Sequence, residues 1–333
     1  MSVLMEARDL KVYFTIRRGF FAEMLSRKKY QVKAVDGLTM SIGKGEIVSL
    51  VGESGSGKTT LGRALLSLVE ITGGSVVFDG EEISRANRRQ LHAFRRRAQM
   101  IFQDPYQSLN PRDIVLDIVG EPLQVNMHRI SLQEREEKVI QALAWAGLSP
   151  AEDYLYRFPH ELSGGQRQRV AVAAALILQP DFIVADEPVS MLDVSIRADI
   201  LRLIVHLRDT MGISCLCITH DLSMAWLISD RIVIMYLGKV MEIGSPERIV
   251  QTALHPYTKA LLEVMPLIKG GRKRGRQILR GETPDSLDMP RGCRFHPRCP
   301  SALKVCSQIE PKLIEVGNGH FTACHLVRPQ EEE

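Results

Sequence analysis

A glycine-rich turn followed by a lysine and two threonines is the first feature of this sequence that could perform chemistry. The run GESGSGKT at 52–59 follows an apolar segment, 45–51, and precedes an amphipathic one. It fits the pattern G-x-x-x-x-G-K-[ST], in which the glycines let successive main-chain N–H groups converge on phosphate oxygens. Lys58 would neutralise the terminal phosphates, and Thr59 would offer its hydroxyl to Mg²⁺. The motif predicts a purine-nucleotide site, whose candidate residues are Gly52, Glu53, Ser54, Gly55, Ser56, Gly57, Lys58, Thr59 and Thr60.

Two adjacent carboxylates form a second candidate group. Asp186 and Glu187 directly follow four apolar residues at 182–185, a run typical of a buried parallel strand. A carboxylate at the end of such a strand can hold Mg²⁺, directly or through water, beside a phosphate-binding loop. We therefore expect Asp186 to serve the metal and Glu187 to polarise a water molecule that attacks the phosphate.

The glycine-rich turn and the paired carboxylates must each be positioned by a strand that ends beside them and by helices that pack on the strands. Alternating or apolar patterns predict strands, and apolar residues at spacings of three and four predict helices. The predicted strands cover 5–14, 32–42, 45–51, 182–185, 214–219, 232–236 and 238–244, and the predicted helices cover 59–69, 131–147 and 165–178. Strands that alternate with helices indicate an α/β fold with a mainly parallel sheet, and the two strands before residue 45 indicate an additional antiparallel part.

Composition and charge exclude several classes of protein. The 333 residues are 45% hydrophobic and 25% charged, as in a folded globular chain, which excludes intrinsic disorder. The 43 basic residues are nearly balanced by 39 acidic ones, so the net charge of +4 gives no sign of nucleic-acid binding. The longest apolar run, 170–178, is about half of the roughly 18 residues of a membrane span. With no signal-peptide pattern at its start, we expect a soluble, cytosolic chain.

A third motif, LSGGQ at 162–166, lies between the lysine-containing turn and the two carboxylates. With these three motifs in this order, the chain resembles the ATP-binding subunits of ABC transporters. The resemblance implies a P-loop NTPase core of the ABC ATPase type, with a mainly parallel sheet, an antiparallel β subdomain and a helical subdomain. It also implies that two subunits sandwich ATP. The residues that would face the γ-phosphate bound to the opposite subunit are Leu162, Ser163, Gly164, Gly165 and Gln166.

The same resemblance assigns roles to residues outside these motifs. Gln103 matches the glutamine that senses Mg²⁺ and the attacking water, and His220 matches the histidine that contacts the γ-phosphate. Asp193 matches the loop that faces the partner subunit, and Phe14, or its neighbour Tyr13, matches the aromatic residue that stacks on adenine. The implied reaction is ATP hydrolysis, a Mg²⁺-assisted phosphoryl transfer to water. The implied catalytic residues are Glu187, His220 and Gln103, and the implied Mg²⁺ ligands are Thr59, Gln103 and Asp186.

Four further segments narrow the resemblance. They are QDPYQSLNPR (103–112), YLYRFPHEL (154–162), HPYT (255–258) and CRFHPRCP (293–300), and they are similar to segments of oligopeptide and dipeptide importer ATPases. The implied domains are an ATP-binding domain at 1–268, with its helical subdomain at about 104–170, and a C-terminal region at 269–333. The basic insertion at 17–30 looks more like the second of the two paired ATPases of such importers.

This resemblance implies a function in transport. The chain would hydrolyse ATP at the cytoplasmic face of the membrane and power the import of oligopeptides or dipeptides through two transmembrane permease subunits. Its implied ATPase partner is a sibling subunit, with an extracytoplasmic solute-binding protein acting indirectly and no nucleic acid involved. Related importers carry oligosaccharides, so that cargo stays an alternative, as does a homodimer. A role in DNA or ribosome remodelling is disfavoured, since the chain carries one phosphate loop and one LSGGQ motif.

Four cysteines crowd into the C-terminal part of the chain, in the pattern Cys293-x5-Cys299-x6-Cys306-x17-Cys324. Without an export signal, such a group indicates a metal more than disulfides, and four thiolates suit Zn²⁺ or an iron–sulfur cluster. Zinc sites usually contain C-x2–4-C pairs, and the spacing here is wider. The importer resemblance implies a [4Fe–4S] cluster, with zinc and a metal-free segment as the alternatives. A basic, glycine-rich run at 269–276 predicts a flexible linker before the cysteines.

Overall fold

The computed structural model of the protein describes residues 2–16, 30–127, 130–264, 284 and 287–328. Two predicted features fall elsewhere in the chain. The basic insertion at 17–30, apart from its last residue, and the linker at 269–276 lie outside the described residues.

Within the described residues, strands and helices alternate along most of the chain. The strands are β1 (Val3–Ile16), β2 (Tyr30–Gly43), β3 (Ile47–Val51), β4 (Gly73–Phe78), β5 (Glu81–Glu82), β6 (Ala98–Ile101), β7 (Phe182–Asp186), β8 (Ser214–Thr219), β9 (Arg231–Tyr236), β10 (Lys239–Gly244), β11 (Ile314–Glu315) and β12 (Phe321–Thr322). The α-helices are α1 (Lys58–Leu65), α2 (Arg88–Arg97), α3 (Pro105–Ser108), α4 (Val115–Asn126), α5 (Leu132–Trp145), α6 (Gly164–Leu176), α7 (Val194–Met211), α8 (Leu222–Ile228), α9 (Pro246–Gln251) and α10 (Pro256–Val264). This alternation confirms the predicted α/β class.

The chain divides into two compact units. The phosphate-loop unit comprises residues 5–41, 48–84 and 219–333, and the signature unit comprises residues 1–4, 42–47 and 85–218. Each unit carries its own strands and its own share of the candidate residues. The phosphate-loop unit contains the glycine-rich turn and the four clustered cysteines, and the signature unit contains LSGGQ and the paired carboxylates.

Three parallel strands form the sheet of the signature unit. β6 pairs with β7 and β7 with β8, in a register that sets Ala98 opposite Phe182 and Phe182 opposite Ser214. All residues of β7 and β8 are buried, which explains their almost continuous apolar pattern. Asp186 is the last residue of β7, so this sheet presents its carboxylate where the strand ends.

Three helices of the signature unit, α4, α5 and α6, pack against one another. Their buried faces follow spacings of three and four residues, as in α5, where Val139, Ala142 and Leu143 are buried. The N-cap residue of α5 is Ser131, whose hydroxyl accepts a hydrogen bond from the main-chain N–H of Glu134. The LSGGQ motif lies at the N-terminus of α6, so this helical bundle determines its position.

The phosphate-loop unit contains an antiparallel and a mixed set of strands. One sheet has the order β2-β1-β4-β5, in which β4 is antiparallel to β1 and to β5. In the other set, β3 pairs in parallel with β9, and β9 forms an antiparallel hairpin with β10. β10 pairs with β12 and β12 with β11. β3 ends at Val51, directly before the glycine-rich turn.

The helix predicted at 59–69 ends earlier than expected, at Leu65. Ser67 adopts a left-handed backbone conformation with φ 51°, and the N–H of Leu68 donates to the carbonyl of Arg63, so the chain turns away from the helix axis. Leu66 is buried beyond the helix end, which is why the apolar spacing continues past it. The predicted helices also omit α2, α3, α4, α7, α8, α9 and α10.

The longest helix in the described residues, α7, has 18 residues and includes charged ones such as Arg197, Asp199 and Arg202. Across the parts of the chain that the structure describes, no helix combines the length and the apolar character that crossing a bilayer requires.

Candidate nucleotide site and cysteine segment

The glycine-rich turn is packed so closely that two of its glycines have no room for a side chain. A Cβ on Gly52 would overlap the carbonyl oxygen of Met235 in β9, and one on Gly57 would overlap that of Ala34 in β2. Gly57 also has φ 98°, a left-handed conformation that L side chains rarely adopt. Ser54 and Gly55, at the tip of the turn, are exposed. The turn is therefore held against two strands, with its tip open to a ligand.

Lys58 lies at the first position of α1, and its side chain is folded over the turn. Its Nζ donates to the carbonyls of Gly52 at 2.8 Å and Glu53 at 2.9 Å, and the residue is only 6% exposed. Gly57 is the N-cap and has no side chain to cap the first N–H groups of α1. The start of a helix attracts anions because its N–H groups and its dipole point outward. Thr59 is half-buried in the same first turn.

The two aromatic candidates for the adenine contact differ in their surroundings. Tyr13 donates its hydroxyl to the carboxylate of Asp36, and the Nζ of Lys33 lies 5.3 Å from its ring centroid. Burial and the bond to Asp36 raise the pKa of Tyr13 to about 12, so its hydroxyl stays protonated. Phe14, in contrast, is 45% exposed. The exposed ring of Phe14 is the better stacking surface for a base.

His220 directly follows β8 and is exposed. The next residue, Asp221, is the N-cap of α8, and its carboxylate accepts from the N–H of Ser223 at 2.8 Å. The N–H of Asp221 in turn donates to the hydroxyl of Thr219 at 3.0 Å. These bonds hold the strand-to-helix turn and leave the imidazole at its outer surface.

In the signature unit, the paired carboxylates occupy a tight turn after β7. Asp186 is 2% exposed, whereas Glu187 is half-buried and has φ 44°, a left-handed conformation. The N–H of Glu187 donates to the carbonyl of Ile218 in β8 at 2.9 Å, and its own carbonyl accepts from the N–H of Ser190 at 3.2 Å. Gln103 Nε2 donates to Glu187 Oε2 at 3.2 Å. The structure thus brings together two residues that the sequence predicts to act on the same water.

The LSGGQ motif caps α6. Ser163 Oγ accepts from the N–H of Gln166 at 3.3 Å, and Gln166 Oε1 accepts from the N–H of Ser163 at 2.9 Å, a reciprocal capping box. A Cβ on Gly165 would lie 2.7 Å from a methyl group of Ile196 in α7, so this glycine lets α6 and α7 approach closely. Asp193, the N-cap residue of α7, is exposed.

The predicted site residues are therefore divided between the units. The phosphate-loop unit holds Tyr13, Phe14, the residues 52–60 and His220, and the signature unit holds Gln103, the residues 162–166, Asp186, Glu187 and Asp193. The sequence reasoning missed the contacts that residues near the C-terminus make with the phosphate loop. Arg298 Nη1 lies 2.8 Å from Glu53 Oε2, and the N–H of Glu53 donates to the hydroxyl of Tyr257 at 2.9 Å. No local pattern signals contacts between such distant parts of the chain.

The cysteine segment, residues 293–324, carries four free thiols. The pKa of Cys293 is raised to about 11, mainly by burial and to a smaller extent by the thiols of Cys306, Cys324 and Cys299, while a bond from the N–H of Phe295 opposes the shift. The pKa values of Cys299 and Cys324 are also raised, mainly by burial. The thiols of Cys293, Cys299 and Cys324 are therefore protonated at neutral pH.

The predicted metal site is not supported by this arrangement. Within the described ranges, no three side chains of His, Cys, Asp or Glu come together closely enough to hold a metal ion. One nearby polar atom lacks a partner: His255 Nε2 is buried and makes no hydrogen bond, and its ring centroid lies 5.7 Å from that of Phe295. This unpartnered atom does not identify a ligand.

Comparison with known families separates the chain into two matched regions. Residues 35–190 match the family described as ABC transporter, and residues 241–306 match the family described as oligopeptide/dipeptide transporter, C-terminal region. The first region includes the phosphate loop and LSGGQ, and the second includes the first three cysteines of the segment and Arg298.

Relatives are similar over nearly their full length. The chain is 46% identical to the oligopeptide transport ATP-binding protein AppF of Bacillus subtilis over 329 residues, which cover 98% of each protein. It is 42% identical to the dipeptide transport ATP-binding protein DppF of Haemophilus influenzae over 321 residues, 96% of each. Among solved structures, it resembles the dimeric post-hydrolysis state of the ATP-binding cassette MJ0796 bound to ADP and Pi, with 28% identity and a TM-score of 0.63 over 73% of this chain and 99% of that one.

Proposed function

Since the chain belongs to the oligopeptide/dipeptide family of ABC transporter ATP-binding proteins, we propose that it powers the import of peptides through membrane-embedded permease subunits. It is an ATPase, and its hydrolysis of ATP is coupled to transport. The observation that carries the proposal is the Gln103–Glu187 contact at the end of a buried strand, in a chain that also holds a phosphate loop with a buried lysine. The phosphate loop binds ATP, and hydrolysis needs in addition the carboxylate of Glu187 with its glutamine partner.

We assign the following roles to the chain's own residues. The N–H groups of the loop 52–60 and Lys58 bind the phosphates, and Phe14 stacks on the adenine. Glu187 orients the attacking water and accepts its proton, with Gln103 and His220 guiding the water and the γ-phosphate. Thr59, Gln103 and Asp186 would hold Mg²⁺, and their hydroxyl, amide and carboxylate oxygens are hard ligands that suit it. When bound, this ion spreads the negative charge that develops on the phosphate oxygens.

The direct test is the substitution Glu187→Gln, which keeps the size of the side chain but removes its basicity. We expect this variant to bind ATP while its turnover falls at least about a hundredfold, the usual contribution of a general base. Glu152→Gln, at an exposed position of the same unit, serves as the matched control and should hydrolyse ATP normally. Wild-type turnover in the Glu187 variant would overturn the assignment of the catalytic residue.

The cargo and the partners are finer proposals. The similar proteins AppF and DppF are an oligopeptide and a dipeptide transport ATP-binding protein, which supports peptides rather than oligosaccharides as the cargo. Exposed Met191 and Val194 on either side of Asp193 offer an apolar rim for contact with a sibling ATPase subunit. Exposed Tyr106 in α3, over which Arg167 lies 4.3 Å from the ring centroid, offers a contact for a permease subunit at the cytoplasmic face of the membrane.

These proposals can be tested together in proteoliposomes that contain the permease pair. Stimulation of ATP turnover by a peptide-loaded binding protein, and by no oligosaccharide, is the expected result. Purification with or without a coexpressed sibling ATPase decides between a heterodimer and a homodimer. Stimulation by oligosaccharides alone would replace the peptide proposal.

A [4Fe–4S] cluster on Cys293, Cys299, Cys306 and Cys324 is a further proposal for the C-terminal region, taken as residues 269–333. Its support is the four-cysteine pattern, which resembles that of oligopeptide importer ATPases, and the main-chain N–H groups of Phe295, Ser301 and Leu326, each of which bonds the thiol two residues earlier. Within the described residues the thiols are not close enough to one another to hold a metal. The thiols would have to rotate toward one another and lose their protons to bind it. Such a group would serve as a staple or an electron carrier.

Iron and sulfide content after anaerobic purification tests this proposal. We expect about four irons per chain, lost in Cys293→Ser and kept in Cys217→Ala, a cysteine of β8 outside the segment. Bound zinc, or a colourless chain without metal, would rule the cluster out and leave the ATPase assignment untouched.

A further inference from the structure

Arg298, in the cysteine segment, contacts the phosphate loop. Its guanidinium Nη1 lies 2.8 Å from Glu53 Oε2 and 3.3 Å from the hydroxyl of Tyr236. The side chain is almost completely buried, at 8% exposed, and its guanidinium carbon lies 5.9 Å from the Tyr236 ring centroid. A buried arginine with a carboxylate and an aromatic partner is held in one orientation, which a solvated surface pair is not.

The partner of Arg298, Glu53, is the second residue of the phosphate loop and is held at three points. Its carboxylate accepts from Arg298, its N–H donates to the hydroxyl of Tyr257 at 2.9 Å, and its carbonyl accepts from Lys58 Nζ at 2.9 Å. Burial raises the pKa of Tyr257 well above its usual value, so this hydroxyl stays neutral and keeps accepting. The position of Glu53, and with it the carbonyl that holds Lys58, therefore depends on Tyr257 through the main chain and on Arg298 through the side chain.

The charge of Glu53 is the second part of the argument. A carboxylate in a loop that binds a polyanion repels the ligand, and the low dielectric around buried groups strengthens that repulsion. Arg298 places a cation within hydrogen-bond distance of this carboxylate and offsets its charge. Tyr236, Tyr257 and Phe295 pack around the pair, with ring centroids 4.8–5.4 Å apart, and they limit its access to water.

We propose that Arg298 is a positioning residue for ATP binding, which acts through Glu53 by neutralising its carboxylate and fixing the loop that holds Lys58. The proposal rests on the proposed role of the phosphate loop. It makes the cysteine segment a part of the nucleotide site's support, since Cys299 follows Arg298 directly and Cys293 precedes it by five residues.

The test is a double-mutant cycle in the full-length chain, with ATP binding measured by calorimetry and turnover measured as KM and kcat. We expect Arg298→Met to raise the Kd and KM for ATP about tenfold, equivalent to ~1.4 kcal/mol, with a smaller change in kcat. Glu53→Gln alone should tighten ATP binding about threefold, because it removes a negative charge from the loop while Arg298 keeps its positive charge beside it. The double variant should return to within about threefold of the wild-type Kd.

Several controls separate the possible failures. Arg291→Met, an exposed arginine that precedes the cysteine segment, should bind ATP as the wild type does. Lys58→Ala should not bind ATP, and if it does, the proposed role of the loop fails rather than that of Arg298. A double variant as weak as Arg298→Met, or an unaltered Kd in Arg298→Met, would overturn the proposal. If Arg298→Met does not fold, the Kd of Glu53→Gln for ATP still tests the proposal. A lower Kd than that of the wild type supports it, and a higher Kd contradicts it.

Discussion

His255 is a buried imidazole in the phosphate-loop unit whose surroundings favour the neutral form. Its Nδ1 accepts from the N–H of Tyr257 at 3.0 Å, so protonation of this nitrogen would break the bond. The ring packs against Phe295, and the carboxylate of Glu242, which accepts from the N–H of His255 at 2.9 Å, is also bonded to His320. Burial lowers the pKa of His255 from 6.5 to about 4, although the charge of Glu242 opposes that shift.

The sign of the effect on stability follows from this difference. Between about pH 4 and 6.5, the unfolded chain binds a proton at this imidazole and the folded chain does not, so acid stabilises the unfolded state. The difference between the two pKa values contributes ~3 kcal/mol to the free energy of unfolding. This contribution is fully present above pH 6.5 and is lost as the pH falls towards 4. Between pH 7 and pH 5, the free energy of unfolding should fall by ~2 kcal/mol on account of His255 alone.

Urea unfolding, followed by the fluorescence of the two tryptophans, measures this loss at pH 7, 6 and 5. The variant His255→Met removes the titrating group, and we expect it to be less stable than the wild type at pH 7 but to lose ~2 kcal/mol less on acidification. His206→Met, an exposed histidine of α7, is the control and should keep the wild-type pH dependence. Parallel pH profiles for wild type and His255→Met would refute the reasoning, because they would mean that the imidazole gains a proton without cost.

Three further predictions concern other parts of the molecule. Phe14→Ala should weaken ATP binding about tenfold, since stacking on a base is worth ~1–3 kcal/mol, and Tyr13→Phe should weaken it less, which calorimetry can compare. In the metal-free chain, the alkylation rate of Cys293, followed by mass spectrometry, should keep rising beyond pH 9, because its pKa is raised to about 11. Gly165→Ala should lower the free energy of unfolding by ~1–3 kcal/mol, measured by thermal unfolding, because its Cβ would lie 2.7 Å from Ile196. Gly164→Ala should lower it by less, because the nearest atoms to its Cβ are 3.7 Å away.

The parts of the fold that can be predicted from the sequence are those in which neighbouring residues alone determine the local structure. β7 and β8 are buried on both faces, so a short continuous apolar run identifies them. The phosphate loop is recognisable because its main chain needs glycine at Gly52 and Gly57, where any Cβ would overlap a neighbouring carbonyl. The end of α1 is harder to predict, because Leu66 belongs to the core although it lies outside the helix.

The choice between Tyr13 and Phe14 shows why the site is only partly predictable. The two rings are neighbours in the sequence, and both types of residue stack on bases. What separates them is Asp36, 23 residues away, which bonds the Tyr13 hydroxyl and is itself held by Arg294 near the C-terminus. Burial alone would raise the pKa of Asp36, but the Tyr13 hydroxyl and the charges of Lys239, Arg294 and Lys33 lower it below its usual value. The carboxylate therefore stays ionised and holds the tyrosine in place.

The contact between Arg298 and Glu53 joins residues 245 positions apart, and each partner has a sufficient local explanation of its own. Glu53 occupies a variable position of the phosphate-loop pattern, and Arg298 lies between two cysteines that suggest a metal. Only the tertiary fold reveals that two carboxylates, Asp36 beside Tyr13 and Glu53 in the loop, each pair with an arginine from one short C-terminal segment.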